Sequence, residues 1–263
     1  MSLRWALLLE YDGSPFVGWQ RQASGLSVQE VLETAASRLA GGTPVATAVA
    51  GRTDAGVHAA GQVASLDLAA DFSPARLRDA LNWHLKPHPV AVLAAVPAPE
   101  GWHPRFSAIG RSYCYAILDR PAPPALRAGR VWHVPRRLDA EGMQGAARLL
   151  LGRHDFSSFR AAACQAKSPV KTLDRLDVIR EGDCVRILAA ARSFLHHQVR
   201  NIVGTLKLVG EGRWNADDIA RILAARDRRV AGPTAPAQGL CLSSARYGVE
   251  LFAVVQGAGD HVE

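Results

Sequence analysis

The sequence predicts an α+β chain of two related halves, each ordered β-α-β-β-α-β with a mainly antiparallel sheet, flanking a central cleft. Three observations lead there. Short apolar runs of period two and longer ones of helical period follow each other in the same order twice. Ser27, Ser73, Asp139 and Asn215 precede the helical stretches, side chains able to accept from the orphan N–H groups of a first turn. The order within each half is that of the split βαβ, ferredoxin-like arrangement.

Arg4 to Tyr11 reads as the first strand, and the Gly- and Pro-bearing stretch from Asp12 to Gly25 as a long loop. Ser27 with Glu30 has the form of a capping box; Val28, Val31, Leu32, Ala35 and Leu39 keep helical spacing until Gly41 and Gly42 end it. Pro44 to Ala50 and Gln62 to Asp67 read as strands around a turn, Ser73-Pro74 opens a helix through Leu77, Ala80 and Leu81, and Val90 to Val96 is a strand. In the second half, a strand at Arg111 to Leu118 puts Tyr113, Tyr115 and Ile117 on one face, and Asp139 caps a helix carrying Met143, Ala146, Ala147 and Leu150. Thr172 to Arg180 and Cys184 to Phe194 read as a hairpin-like pair. A helix from about Leu195 to Val209 carries Val199, Ile202, Val203 and Leu206, Asn215 caps another through Ile219, Ile222 and Leu223, and Leu240 to Arg246 closes as a strand. The boundary falls near residue 105, giving domains 1–105 and 106–263, and the Pro-rich stretches 87–99 and 121–124 are rigid connections.

Composition narrows the function classes. With 48% hydrophobic and 21% charged residues the chain is globular, and no run approaches the ~18 apolar residues of a membrane span. The first ten residues lack the apolar stretch of a signal peptide, so a cytoplasmic protein is expected. The four cysteines form no Cys-x-x-Cys pair, which excludes a disulfide framework or zinc ribbon and predicts buried, reduced thiols. Net charge is 31 − 24 = +7, and all but Lys86, Lys167, Lys171 and Lys207 of the 31 cations are Arg. Guanidinium forks suit phosphates and base planes, although an Arg bias also follows from genome composition. Glycine spacing gives no Walker or dinucleotide fingerprint, hence no nucleotide cofactor. On a helix His196 and His197 diverge by about 100° and could not share an ion, so no metal site is expected.

The informative segment is 51–58 (GRTDAGVH), a glycine-bracketed turn between two predicted strands. On its residues alone it is a turn in which Asp54 bonds its own backbone. Other segments add to it: YDGSPFVGWQRQ (11–22), HPRFSA (103–108) leading into RSYCY (111–115), HDFSSFR (154–160), FLHHQVRNIVG (194–204) and TAPAQGL (234–240). In these six segments, in order from Tyr11 to Leu242, the chain resembles the tRNA pseudouridine synthase A family. The resemblance implies isomerisation of uridine to pseudouridine at about positions 38 to 40 of the tRNA anticodon arm. It also implies a homodimer with tRNA lying across both subunits.

Residue by residue, the resemblance makes Asp54 the single essential aspartate, and a carboxylate ionised at neutral pH suits a nucleophile or base. Arg200 matches a family arginine that partners it, offsetting the cost of burying a charge. Tyr113 matches the tyrosine that stacks on the extruded base, and Arg52 the arginine proposed to fill the space the flipped nucleotide leaves. Leu240 supplies an apolar wall to the pocket. Trp19 and Phe16 read as packing anchors. The chain departs from the family pattern at Trp102, Ser112, Cys114 and Leu66. One carboxylate in one turn fits attack at C1′, addition at C6 or removal of a ribose proton, and those three stay open. Two other classes compete. One is a silent RNA-binding module with the sheet of RNA-recognition domains, and the other a hydrolase with paired carboxylates, for which Asp12 and Asp155 are the loop candidates.

Overall fold

The computed structural model describes residues 2–69 and 71–252, which group by packing into two units. The first comprises residues up to Ile109 together with those from Leu242 on, the second Gly110–Cys241.

In the first unit the order is β1 (Ser2–Tyr11), α1 (Val28–Leu39), β2 (Thr47–Val49), β3 (His58–Ala69), α2 (Pro74–Leu85) and β4 (Val90–Pro97). β1 lies between β3 and β4, and β2 pairs with β3, all antiparallel. The period-two pattern of β1 puts Trp5, Leu7, Leu9 and Tyr11 in the core with Leu32 of α1 and Leu77 and Leu81 of α2 also buried. Ser27 caps α1 by accepting from the Glu30 N–H, and Ser73 does the same for Arg76 of α2. Glu33 fastens α1 to β2: its Oε1 accepts from the Thr47 N–H and hydroxyl. β2 is shorter than the run from Pro44 to Ala50 suggests, spanning three residues.

The opposite side of this sheet explains why the C-terminal stretch groups here. Ala6, Val63, Ala94 and Trp102 form a buried cluster with Phe252, packed by Tyr247 and Leu251. The Tyr247 hydroxyl donates to the Pro104 carbonyl at 2.8 Å and its ring lies 5.3 Å from that of Trp102. A division by element order near residue 105 leaves these residues with the second half, whereas packing places those from Leu242 on with the first.

The second unit contains most of β5 (Ala108–Leu118), then β6 (Trp132–His133), α3 (Ala140–Ala147), β7 (Gly152–Asp155), β8 (Val170–Glu181), β9 (Cys184–Ala191), α4 (Gln198–Gly210) and α5 (Ala216–Ala225). The last strand, β10 (Leu240–Tyr247), begins in it. Its strands run β5-β9-β8-β7 antiparallel, with β6 beside β5 in parallel. Tyr115, Ile117, Met143, Phe156, Leu176, Ile187, Ile202 and Leu206 are buried. Asp139 caps α3 through the Gly142 N–H, and Asn215 forms a full capping box on α5 with Asp218. β6 and β7 have no counterpart in the sequence-based reading. The cysteines are all free, but Cys114 and Cys241 are only half-buried, which corrects the expectation that all four lie in the core.

A buried carboxylate ties three elements of this unit. Asp119, just after β5, accepts both Nη groups of Arg180 on β8 at 3.0 and 2.8 Å and the Leu138 N–H at 2.8 Å. Burial pushes its carboxyl up, but the Arg180 and Leu138 hydrogen bonds and the Arg180 and Arg137 charges outweigh it and hold it below the usual carboxylate range. A depressed native pKa contributes stability that is complete above the unfolded value of ~3.9 and is lost as pH falls through the native value. Asp119→Ala is expected to destabilise by about 3 kcal/mol at neutral pH, because it strands the Arg180 guanidinium. In urea titrations, Asp119→Asn should show less loss of stability than wild type between about pH 5 and pH 3. An equal loss in both would contradict this.

Candidate active site

Asp54 sits in the turn that connects β2 to β3, and the long loop after β1 fixes that turn by backbone contact. The Trp19 N–H donates to the Thr53 carbonyl at 3.0 Å, the Gly56 N–H to the Phe16 carbonyl at 3.3 Å, and within the turn the Val57 N–H to the Asp54 carbonyl at 3.1 Å. Thr53 is buried, its hydroxyl 2.8 Å from that of Tyr11. Gln62 of β3 donates to the Gly51 carbonyl at 2.8 Å. Both sides of the aspartate are thereby anchored, while Asp54 itself is half-buried and Arg52 exposed. Phe16 and Trp19 are buried and act as the packing anchors of the loop.

Two glycines make this approach sterically feasible. A Cβ on Gly13 would lie 2.1 Å from the Val57 carbonyl oxygen, and one on Gly18 2.6 Å from that of Thr53, with Gly18 also at φ +105°. Asp12 is occupied at the same corner: its Oδ1 accepts from the Ser14 N–H and lies 3.2 Å from His58 Nδ1, which accepts from the Gly13 N–H. Asp155, in the second unit, accepts from the Ser157 N–H and hydroxyl and faces Arg226 at 3.5 Å. Burial pushes its carboxyl up, yet these contacts hold it below the usual range. Both loop carboxylates of the paired-acid reading thus serve as turn caps.

In the second unit, Tyr113 and Tyr115 project from one face of β5 with different surroundings. Tyr113 is half-buried, its ring edge-on to Phe194 at 5.2 Å, and Ala189 is its cross-strand partner. Tyr115 is fully buried. Its hydroxyl donates to the Pro236 carbonyl at 2.8 Å, and burial raises its pKa above the ordinary tyrosine value, against the opposing charge of Arg200.

Arg200, half-buried in the first turn of α4, is pinned through its Nε to the Ala235 carbonyl at 2.8 Å, and the Ala235 N–H returns to the Arg200 carbonyl at 3.1 Å. Leu240 is buried at the start of β10. The stretch 232–239 is laid against α4 and β5 by glycines: a Cβ on Gly204 would come within 1.7 Å of the Pro233 carbonyl, and one on Gly239 within 2.6 Å of the Tyr115 ring. Buried Asn201 completes the clasp, donating to the Phe159 carbonyl and accepting from the Thr234 hydroxyl at 2.7 Å and Arg228 at 3.2 Å. Sequence reasoning missed Asn201, whose only signal is a polar residue on the apolar face of a helix.

The start of α4 also differs from expectation. His196 and His197 precede the helix, which begins at Gln198 with His197 in the left-handed region at φ 61°. Their rings lie 4.0 Å apart, so the expected divergence on a helical wheel does not hold. The four positions at which the sequence departs from the family pattern differ in their surroundings. Trp102 and Leu66 are buried, Leu66 opposite Trp5, while Ser112 and Cys114 face Ala190 and Leu188 across the ladder. Among the described residues no helix is long and apolar enough to cross a membrane.

A family model described as tRNA pseudouridine synthase matches residues 8–107 and 146–248. The chain is 67% identical over 250 residues to "tRNA pseudouridine synthase A" of Acidiphilium cryptum (strain JF-5), covering 95% of this chain and 98% of that protein. It is 64% identical over 244 residues to the protein of the same name from Rhodospirillum centenum (strain ATCC 51521 / SW), covering 93% and 99%. A third, from Paramagnetospirillum magneticum (strain ATCC 700264 / AMB-1), is 62% identical over 244 residues, covering 93% and 95%.

The backbone clamp on the aspartate turn generates a direct test. Gly18→Ala forces a methyl into the Thr53 carbonyl at an unfavourable φ, and should lower stability by more than ~1 kcal/mol. Gly41→Ala, with open space around its Cβ, should leave activity intact and serves as control. Reduced turnover in Gly18→Ala, measured well below its unfolding midpoint, is the expected result; turnover equal to the control would show that the clamp does not position Asp54.

Proposed function

The chain belongs to the tRNA pseudouridine synthase family, isomerases acting on tRNA uridines, and on that premise we propose that it converts uridine to pseudouridine at about positions 38 to 40 of the anticodon stem-loop, with the flipped base handled beside Asp54. Family membership carries the reading, and the anchoring on either side of Asp54 supports it: a reacting carboxylate must be held in place before substrate arrives. The N1–C1′ bond is exchanged for a C5–C1′ bond, C5 gives up its proton and N1 regains one. Nothing is oxidised or reduced, so the chemistry calls for no cofactor.

Asp54 is the essential carboxylate in this reading. Tyr113 stacks on the uracil; its half-buried ring, held at one edge by Phe194 and faced by a small alanine across the ladder, suits that task. Arg200 balances the aspartate's charge, and its pinned Nε fixes the orientation of the guanidinium plane. Arg52, exposed on the turn, fills the space vacated by the flipped nucleotide, and Leu240 walls the pocket. The unit that runs up to Ile109 is then the aspartate carrier, and the unit Gly110–Cys241, with Tyr113, Arg200 and Leu240, is the partner that completes the cleft. Two ferredoxin-like halves are the architecture we infer, the first on the strand order β4-β1-β3-β2. The enzyme works in the cytoplasm, where its tRNA substrate is, as a homodimer.

The test is incubation with tRNA transcripts tritiated at uridine C5. Label release without loss of base distinguishes the isomerase from a binding module and from a hydrolase. Asp54→Asn should abolish release and keep tRNA affinity, since the amide removes a charge that repels phosphate; measurable turnover by that variant would sink the assignment.

A second series reads the stacking role. Tyr113→Leu should lose about 1 to 3 kcal/mol in handling the base, while Tyr113→Phe retains that part. If Phe is as inactive as Leu, the hydroxyl has a chemical task.

A further inference from the structure

Phe106 is among the most exposed large apolar side chains described, 75% open to solvent, and it stands on a loop that is not loose. His103 Nδ1 accepts from the backbone N–H groups of Arg105 at 3.1 Å and Phe106 at 3.4 Å. The Ser107 N–H donates to the His103 carbonyl, and the His103 N–H to the Ser107 hydroxyl, both at 3.0 Å. Pro104 is buried, and its carbonyl receives the Tyr247 hydroxyl. Burial and the nearby charges of Arg4 and Arg105 keep the His103 imidazole below its ordinary pKa, which favours the neutral ring that this acceptor role requires.

The ring has company of a particular kind. The His103 imidazole lies 4.5 Å from it at 32°, and the Arg105 guanidinium carbon lies 5.7 Å from its centroid. An exposed ring with a cation at its face, on a loop ordered by side-chain to backbone bonds, loses little entropy when something flat is laid on it. The flat ligand with an anion attached is a nucleotide. A ring this open cannot enclose a base for chemistry, which sets it apart from the place where a uracil is extruded.

We propose that Phe106, with Arg105 and His103, is a stacking platform for an unpaired nucleotide of the tRNA other than the reacting uridine, with Arg105 reaching its phosphate. The inference rests on tRNA being the substrate, and it assigns Phe106 to binding rather than to the chemical step.

Equilibrium binding of tRNA transcripts at fixed salt, with Phe106→Ala, Phe106→Leu and Phe106→Trp, tests it. Phe106→Ala should weaken affinity roughly five- to 150-fold, Leu should recover little of that, and Trp should bind within about threefold of wild type. KM should rise with the affinity loss, while the single-turnover rate at saturating tRNA and the unfolding midpoint stay unchanged. Unaltered affinity in Phe106→Ala, or equal affinity in Leu and Trp, overturns the platform. So does a change of oligomeric state in sedimentation that accounts for the loss, because Phe106 would then be a subunit contact. Binding is read without turnover, so a wild-type protein that binds tRNA but releases no tritium counts against the proposed reaction and leaves the binding series to decide the platform.

Discussion

The approach of two backbones, made possible by Gly13 and Gly18, is the constraint on which the candidate site depends. A carboxylate proposed for chemistry must be held in place before substrate arrives, and fixing its backbone is one way to hold it. Here the fixing is done by hydrogen bonds on either side of Asp54, from Trp19 to Thr53 and from Gly56 to Phe16. Those bonds require the loop to lie directly on the turn. No residue with a Cβ fits at 2.1 Å from the Val57 carbonyl or 2.6 Å from that of Thr53. Buried Phe16 and Trp19 then hold the loop down, so the hydrophobic core of the first unit extends to the backbone of the turn that carries Asp54.

The second unit solves an equivalent problem with a helix. The guanidinium of Arg200, a proposed site residue, is kept from swinging by the segment after α5, which exchanges backbone and side-chain bonds with it through Ala235. That segment reaches α4 because Gly204 and Gly232 remove side chains from the contact, and Asn201 bonds to Thr234 and to the Phe159 carbonyl across it. Thr205 adds a hydroxyl that donates back to the Asn201 carbonyl and accepts from the Gly232 N–H. The polar groups at 201 and 205, on the buried face of α4, are satisfied within a buried network, the circumstance in which such groups specify a single arrangement.

Much of this was legible in the sequence where local chemistry decides the outcome. α1, α2, α3 and α5 start where their capping side chains stand, and the odd-numbered residues of β1 from Trp5 face the core as alternation requires. The beginning of α4 was not legible. Its apolar spacing continues back through Leu195, but His197 adopts a left-handed conformation that no propensity favours, and the Leu195 N–H turns to the Gln198 side chain instead. Long-range partners escaped for the same reason. β7 exists because Gly152–Asp155 meets Val170–Leu173, and the residues from Leu242 belong with the first unit because Tyr247 packs on Trp102. At the candidate site, residue types and their motifs were visible at 54, 113 and 200, whereas the glycine contacts around 54 and 200 are properties of packed backbone.

The arginine excess takes on a definite physical sense once its partners are known. Many cations outside the candidate site face an acid close in sequence, as in Arg78–Asp79, Arg221–Asp218 and Arg229–Asp227, and these pairs are exposed. Exposed pairs contribute little to stability, and they cost little to break. A polyanion arriving at such a surface competes for each guanidinium on favourable terms, since every phosphate engaged releases condensed counterions while the displaced carboxylate returns to water. Pairs of this kind keep arginines extended and soluble in the absence of RNA without committing them. The contrast is Asp119 with Arg180, where the carboxylate is buried and the guanidinium donates to both of its oxygens and to the Leu138 carbonyl, a pair that costs far more to open. Charge in this chain therefore divides by burial: locked where it joins strands, exchangeable where both partners reach solvent.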